Sequence, residues 1–581
     1  MTGPATLNHM EHANDGRGIV LPAELNGWVE RQRWYAGKGH RPVLRSIGFW
    51  TLPSAEAGVR IGCHVAVDTA GGQGTLYQIP LTERRSPLPG AAADALISSA
   101  PGADDQPRYL YDAPHDPAYA AALLGFIFAG TGRADTAAAP AATSLGATTA
   151  AVSTGPGARP DTVAAHTTAT GTTTVVAAPA VIAPKPTMRP VSSSAVTARA
   201  ELLAPLGRRG TPRVTGSRVL TGEQSNTSII IDVAESGGES GRPVICKVFR
   251  VVANGSNPDV SVQSALARAG SSFVPEPLGA VTGEWTDPAT STRFCGHLAF
   301  AQEFLPGVQD AWRVALRAAE AGEDFSDRAR ALGAATAAVH RDLAGAFPTL
   351  EVSPEVVRSV CAGMRERYRQ AVREVPELAE HSAAISAVYD LAESAPSVWP
   401  RPQRIHGDYH LGQVLNVPGR GWVLIDFEGE PLRPLSERTQ PDIPLKDVAG
   451  MLRSFDYVGA TIARQQPDAE AAALDWVDRA RTAFRLGYRG EAGLVAGEQA
   501  ALLDAFEMDK AVYESVYETR NRPTWVSIPL RAVRRLAVRL SAQQAAPATA
   551  TATAPATASG LDDPGLPVPD LPSTRPDRDD A

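Results

Sequence analysis

Two acidic residues and an amide, spaced along residues 404–431 (RIHGDYHLGQVLNVPGRGWVLIDFEGEP), are the part of this chain best suited to do chemistry. Asp408 follows an apolar approach and sits on a tight loop. Gln413 comes five residues later, and a second apolar run, Trp422 to Ile425, delivers Asp426. Phosphoryl transfer needs a carboxylate that can hold and deprotonate a hydroxyl, and oxygen ligands that hold a divalent cation on the phosphates. A loop of this length places the base, Asp408, and one ligand, Gln413, on the same side. The following strand brings the second ligand, Asp426, beside them. Chance acidic residues on a loop and hairpin would not be expected to satisfy all three spacings at once.

The elements that must position this loop are read from the rest of the chain. At 581 residues it has room for two to four domains, and 44% hydrophobic with 20% charged residues suits a globular protein with a sizeable core. A net charge of −8 argues against a general nucleic-acid binder. The four cysteines, Cys63, Cys246, Cys295 and Cys361, are far apart and form no zinc pattern, which suits a reducing, cytoplasmic setting. The N-terminal residues lack the apolar core of a signal peptide, and no run of 18 apolar residues marks a membrane span, so no membrane association is expected. Of the 55 lysines and arginines only five are lysines: Lys38, Lys185, Lys247, Lys446 and Lys510. In so arginine-rich a chain, a lysine within a strand is a candidate for work that needs a compact point charge.

Residues 20–131 read as one mixed unit, with an amphipathic segment Leu21–Trp34 and strand-like runs at Ile47–Leu52, Val59–Val67 and Thr75–Leu81. Residues 132–198 are dominated by Ala, Thr, Pro, Gly and Ser and have too few apolar side chains to offset chain entropy, so a disordered linker or insertion is expected; the tail 543–581 reads likewise. Residues 199–305 show strands at Arg218–Leu220, Ser228–Val233, Pro243–Val251 and Leu298–Leu305. Residues 306–542 are mostly helical: 326–344, 354–372, 376–394, 447–464, 471–485, 497–519 and 529–541. A strand-rich part followed by a helix-rich part that holds the reactive loop is an α+β, bilobal, protein-kinase-like plan.

That plan assigns further residues. Gly222-Glu-Gln-Ser225-Asn226-Thr227 joins two strands. Its small and hydroxyl residues could let backbone N–H groups approach phosphates, although an ordinary polar hairpin loop would read the same way. Lys247 lies on the next strand, where a kinase lysine reaches the α- and β-phosphates of ATP. The acidic partner such a lysine needs is offered only by Asp259, which could equally be a helix N-cap. Gln302, Glu303 and Leu305 fall where an interlobe hinge would pair its backbone with adenine. Asp447, at the start of a helix, is read as a brace of the catalytic loop, and His406 as its support.

Several segments resemble the maltokinase family of actinobacteria, within the aminoglycoside-phosphotransferase-like branch of the kinase fold: HGDYHLGQVL, IDFEGEP, KDVAGMLRSFDYV, DKAVYESVYETRNRPTW, RQRWYAGKG, TGEQSNTSI and NPDV. The resemblance spans most of 20–130 and 199–540. It implies an N-terminal cap subdomain on the N-lobe, and ATP- and Mg²⁺-dependent phosphorylation of maltose at its anomeric hydroxyl to maltose 1-phosphate. It places that activity between trehalose and α-glucan (glycogen) metabolism, with trehalose synthase as a partner. Gln413 in place of the usual Asn, and FEGEP after Asp426, are shared with that family. Two departures stand out: a long Ala/Thr-rich insertion, and Ser261 at a helix position where an acidic residue is expected.

For the sugar, helix 509–520 sets Tyr513 one turn from Tyr517 and Glu514 one turn from Glu518. Periodicity alone reads this as an amphipathic helix, and the resemblance turns Glu514 and Tyr517 toward the substrate. His410, Glu430, Arg438 and Tyr457 are further substrate-binding candidates. The alternatives are a kinase for another small acceptor, such as glucosamine or an aminoglycoside, and an inactive kinase-like binding module. Retention of Lys247, Asp408, Gln413 and Asp426 together argues against the second.

Overall fold

The computed structural model describes residues 19, 21–70, 74–102, 104–130, 196–203, 212–220, 225–234, 241–287, 289–430, 433–492 and 499–545. The expected insertion, up to residue 195, and the tail beyond 545 lie outside the described residues, as does Gly222 of the candidate phosphate loop. The first part forms an antiparallel sheet in the order Leu44–Leu52, Val59–Asp68, Leu76–Arg84, Pro107–Asp112, Leu96–Pro101. The short helix Glu24–Glu30 buries Leu25, Trp28 and Val29 against Tyr77, Ile79 and Leu81 of that sheet. The second part is a six-stranded sheet in the order Thr197–Leu202, Pro277–Thr286, Arg293–Glu303, Val244–Phe249, Asn226–Ala234, Arg213–Val219.

The two sheets are joined more closely than sequence patterning suggests. Val251 and Val252, just beyond the lysine strand, pair with Tyr77 and Leu76 and so extend the first sheet. Helix Pro117–Ala129, capped by the Asp116 side chain, packs with strands of both sheets, and one apolar core runs from Trp50 and Val65 through Leu123 and Ile127 to Ile229, Val248 and Val281. This helix (PAYAAALLGFIFA) is apolar nearly all round, so it carries no amphipathic period by which to be found. The strands Leu96–Pro101, Pro107–Asp112 and Pro277–Thr286 also escape the sequence reading, which the glycines and prolines within them obscure, as does Thr197–Leu202, whose sequence TARAEL is poor in β-branched and aromatic residues.

The helical part has its own core, built by helices Ser326–Ala346, Pro354–Glu374, Ser382–Ser394, Leu445–Gln465, Glu470–Ala492, Ala500–Asn521 and Ser527–Ala545. Each expected helix is present within a few residues, except that 376–394 is split into a 3₁₀ turn, Pro376–His381, and a helix from Ser382. The hairpin Val414–Val417 and Gly421–Leu424 lies against this core and carries the candidate reactive residues at its two ends. Among the described residues no helix is long and apolar enough to cross a membrane.

Candidate active site

The loop bearing Asp408 is held by its backbone. The N–H groups of His406 and Gly407 donate to the two oxygens of Asp447 at 2.8 and 2.9 Å, and His340 Nε2 lies 2.9 Å from the same carboxylate. Burial alone would raise the Asp447 carboxyl; these hydrogen bonds and the neighbouring histidines hold it below its ordinary range. His406 Nε2 lies 3.0 Å from the Ile425 carbonyl and ties the loop to the strand that ends at Asp426. Gly407 has φ of +85°, and a Cβ there would lie 3.2 Å from Gly429 Cα, so the turn before Asp408 requires glycine. Helix Leu445–Gln465 approaches through Gly450, where a Cβ would stand 2.6 Å from the Tyr409 carbonyl. Asp408 is left half-buried at the cleft.

Asp426 has a positive φ of 65°, a conformation aspartate tolerates, which turns the chain sharply after the strand. Gln413 donates to it at 3.2 Å, so these two sequence-derived ligands are neighbours. Lys247 Nζ reaches Asp426 at 2.8 Å, Asp259 at 2.8 Å and Glu428 at 3.1 Å. The lysine's acidic partner in its own lobe is therefore Asp259. The helix N-cap is Asn257, whose side chain accepts the Asp259 N–H at 2.9 Å. The first-turn Asp259 also accepts from Gln263 and from the Phe427 N–H, which fixes the helix to the strand end beyond the cleft.

Asp259, Asp426 and Glu428 have oxygens within 4.8 Å of one another, and they are the one such group of three among the described residues. An oxygen-only set of carboxylates with an adjacent amide suits a hard cation such as Mg²⁺. Burial, followed by the charges of Asp426 and Asp259, pushes the Glu428 carboxyl up to about 7 against the opposing pull of Lys247. Lys247 holds Asp426 in the opposite direction, below its ordinary range, although burial acts to raise it. More negative charge meets here than one ammonium can balance.

The loop and hinge residues divide. Asn226 donates to Ser225 Oγ and, at 2.8 Å, to Glu428, so it lies in the cleft and bridges the lobes. The Thr227 hydroxyl accepts from Arg250 Nε at 2.9 Å, on the side toward the first sheet. Glu303 is also turned elsewhere. Its N–H donates to the Glu276 carbonyl, and its carboxylate bonds Arg420 at 3.1 Å across the lobes. Gln302 pairs with Ile245 and Pro277 within the sheet, and Leu305 follows the strand end.

On the other side of Asp408, the stripe Lys510, Tyr513, Glu514 and Tyr517 on helix Ala500–Asn521 forms a wall. Lys510 bonds Glu430 at 3.0 Å and lies over the Tyr513 ring at 5.1 Å. Burial works against its charge, but Glu430, Asp408 and Glu514 together raise it above the ordinary lysine value. Glu514 is not simply open to a sugar: it is buried against Arg453 at 2.8 Å. Tyr457 donates to Glu518 at 2.8 Å and stacks on Trp525, with centroids 6.3 Å apart. Tyr517 is 42% exposed, with the Arg522 guanidinium 5.9 Å from its ring, so it stands at the rim. His410 accepts the Gly412 N–H on Nδ1, and burial lowers its pKa despite nearby Asp408, which leaves a neutral ring with its proton on Nε2. Arg438 departs from the sugar-binding expectation. It donates to the Glu428 carbonyl at 3.0 Å and lies in the field of Glu428 and Asp426, on the side of the carboxylate group.

Sequence reasoning missed Glu428 and Lys510. Lys510 carried the same signal as Lys247, a rare lysine in an arginine-rich chain, but lay on a helix where a solvated face was the default. Glu428 stood two residues after Asp426 and was absorbed into a motif without a role.

The matching protein-family models agree with this arrangement. Residues 28–116 match the maltokinase N-terminal cap domain, and residues 220–486 match the phosphotransferase enzyme family (APH). A glucosamine kinase of Streptacidiphilus jiangxiensis is 30% identical over 342 residues, which cover 55% of this chain and 73% of that protein. A glucosamine kinase of Mycolicibacterium smegmatis is 27% identical over 341 residues, 54% of this chain and 78% of its own. A solved glucosamine kinase in complex with glucosamine, ADP and inorganic phosphate superposes with a TM-score of 0.52 at 19% identity, covering 89% of this chain and 98% of that one, and so shares the fold. With the two-lobed architecture, the capped N-lobe and the sequence relationship all in agreement, the chain belongs to the APH phosphotransferase enzyme family, in the branch that carries a maltokinase N-terminal cap.

Proposed function

We propose that this phosphotransferase moves the γ-phosphoryl group of ATP to the anomeric hydroxyl of maltose, giving maltose 1-phosphate and ADP. Asp408 accepts the proton of the attacking hydroxyl. The sugar oxygen forms the new P–O bond as the bond between the γ-phosphorus and the β–γ bridging oxygen breaks, and ADP leaves. Lys247 steadies the α- and β-phosphates from the N-lobe, with Ser225 and Asn226 at the mouth of the loop. Asp426 and Gln413, with Glu428 beside them, would hold Mg²⁺, which neutralises charge on the phosphates when bound. Arg438 offers a further cation at that end. In the same reading the enzyme is cytoplasmic, takes maltose from trehalose synthase and feeds α-glucan synthesis.

One observation carries the choice of a neutral sugar. On the acceptor side, three nearby carboxylates each meet a cation: Glu430 meets Lys510, Glu514 meets Arg453, which also holds Asp456, and Glu518 meets Arg522. An incoming ammonium would find these groups already paired and Lys510 repelling it, whereas sugar hydroxyls can donate to and accept from such pairs. Glucosamine is the second reading, favoured by the names of the relatives. The test is a panel of sugars assayed for ADP release, with the product identified by ³¹P and ¹H NMR. The expected result is kcat/KM for maltose at least about tenfold above that for glucosamine, with phosphate on the anomeric carbon. The reverse preference would replace maltose with the amino sugar.

A further inference from the structure

We infer that the cap controls nucleotide binding through Arg250, a positioning residue set between the first sheet and the candidate phosphate loop. Arg250 is completely buried, yet it lies in the turn between strand Val244–Phe249, which carries Lys247, and the pair Val251–Val252. Its Nη2 meets Asp112 of the cap at 2.6 Å, its Nε donates to the Thr227 hydroxyl at 2.9 Å, and its guanidinium lies 4.8 Å from the centre of the Trp34 ring of the cap. Its backbone is held as well: the Arg250 carbonyl accepts the Gln78 N–H at 2.8 Å, and the Gln78 side chain donates to the Phe249 and Leu298 carbonyls at 3.0 and 2.8 Å. Two cap strands and a cap tryptophan therefore grip the end of the lysine strand.

The grip is not what simple adhesion would select. A buried ion pair adds little net stability over apolar side chains of the same volume. This one also leaves Arg250 Nη1 and Asp112 Oδ1 buried without a hydrogen-bond partner among the described residues. What the pair does supply is direction. Thr227 pairs with Val248, next to Lys247, and it follows Asn226, whose amide reaches Glu428 across the cleft. A guanidinium fixed by Asp112 therefore fixes where the loop's last residues and the Lys247 ammonium stand relative to the carboxylates. The acceptor wall, on helix Ala500–Asn521, shares none of these contacts.

The experiment measures Kd for ADP with Mg²⁺ by calorimetry, together with KM for ATP and for the sugar that the wild-type enzyme turns over. The variants are Thr227→Val, Asp112→Asn and the double variant. Each single change is expected to weaken ADP and raise KM for ATP about tenfold, the usual consequence of losing a hydrogen bond to a charged group, while KM for the sugar stays within about twofold. Because both act through one guanidinium, the double variant should be no weaker than the worse single variant by more than about twofold. Arg250→Lys should retain part of the ADP affinity that Arg250→Met loses. Equal rises in both KM values, additive effects in the double variant, or unchanged ADP affinity in a folded Asp112→Asn protein would each overturn the inference. Circular dichroism melting identifies a folded variant, so Thr227→Val, the mildest change, keeps the test open if Arg250→Met does not fold.

Discussion

On the proposed nucleotide side of the cleft one ammonium, Lys247, serves three carboxylates; on the proposed acceptor side Glu430, Glu514 and Glu518 each meet a different cation, Arg453 being shared by Glu514 and Asp456. Both sides are built from charged groups ranging from buried to partly exposed, yet their balance differs. The nucleotide side is left short of positive charge, and its Glu428 holds its proton up to about 7. In the proposed reading such a site is completed by a cation that arrives with the substrate, as a metal-bound triphosphate supplies. On the acceptor side Glu430, Glu514 and Glu518 already meet cations, and such pairs offer hydroxyl-scale hydrogen bonding. The lesson is that the charge balance of a pocket, rather than its count of acidic residues, indicates the class of ligand it takes.

Three substitutions sharpen or break this contrast. Asp408 stands where the two sides meet, and Asp408→Asn keeps the shape while removing the proton acceptor. It is expected to lower kcat by about 10²–10⁴ with an unchanged melting curve. Steady-state kinetics showing more than about a tenth of wild-type kcat would take Asp408 out of that role. On the nucleotide side, Asp426→Ala should cost about a hundredfold in kcat/KM for ATP and shift the Mg²⁺ requirement upward, since hydrogen bonds and ligation by a charged group are each worth a few kcal/mol. A Mg²⁺ titration that overlays the wild-type curve would break the metal assignment. The smallest effect is expected on the acceptor side. Lys510→Met strips Glu430 of its cation beside Asp408, and the ratio of kcat/KM for glucosamine to that for maltose should rise about tenfold, with ATP kinetics close to wild type. If the ratio does not move, the pairing of charges does not decide the acceptor.

How much of this was legible beforehand depends on how local each feature is. The candidate catalytic loop could be read because Asp408 and Gln413 precede, and Asp426 follows, one short hairpin, which brings Gln413 and Asp426 together at 3.2 Å. The helices of the second lobe could be read from their periodicity, and Lys247 from its strand and its rarity. By contrast, the side-chain partners of Thr227 and Glu303 could not be read: they are Arg250 and Arg420, 23 and 117 residues away along the chain. The helix Pro117–Ala129 gave no pattern because its side chains are apolar on every face, including those outside the buried stripe of Tyr119, Ala120, Leu123, Leu124 and Ile127.

The sequence by itself determined the reaction type. The residues that move a phosphoryl group must be close together, and short loops make them neighbours in the chain as well as in space. The tertiary structure alone decided which carboxylates are matched by cations: Lys510 meets Glu430 across 80 residues, Arg453 meets Glu514 across 61, and Arg250 meets Asp112 across 138. Electrostatic pairing falls off with distance in space and is indifferent to distance along the chain, so only the packed helices and sheets could set it.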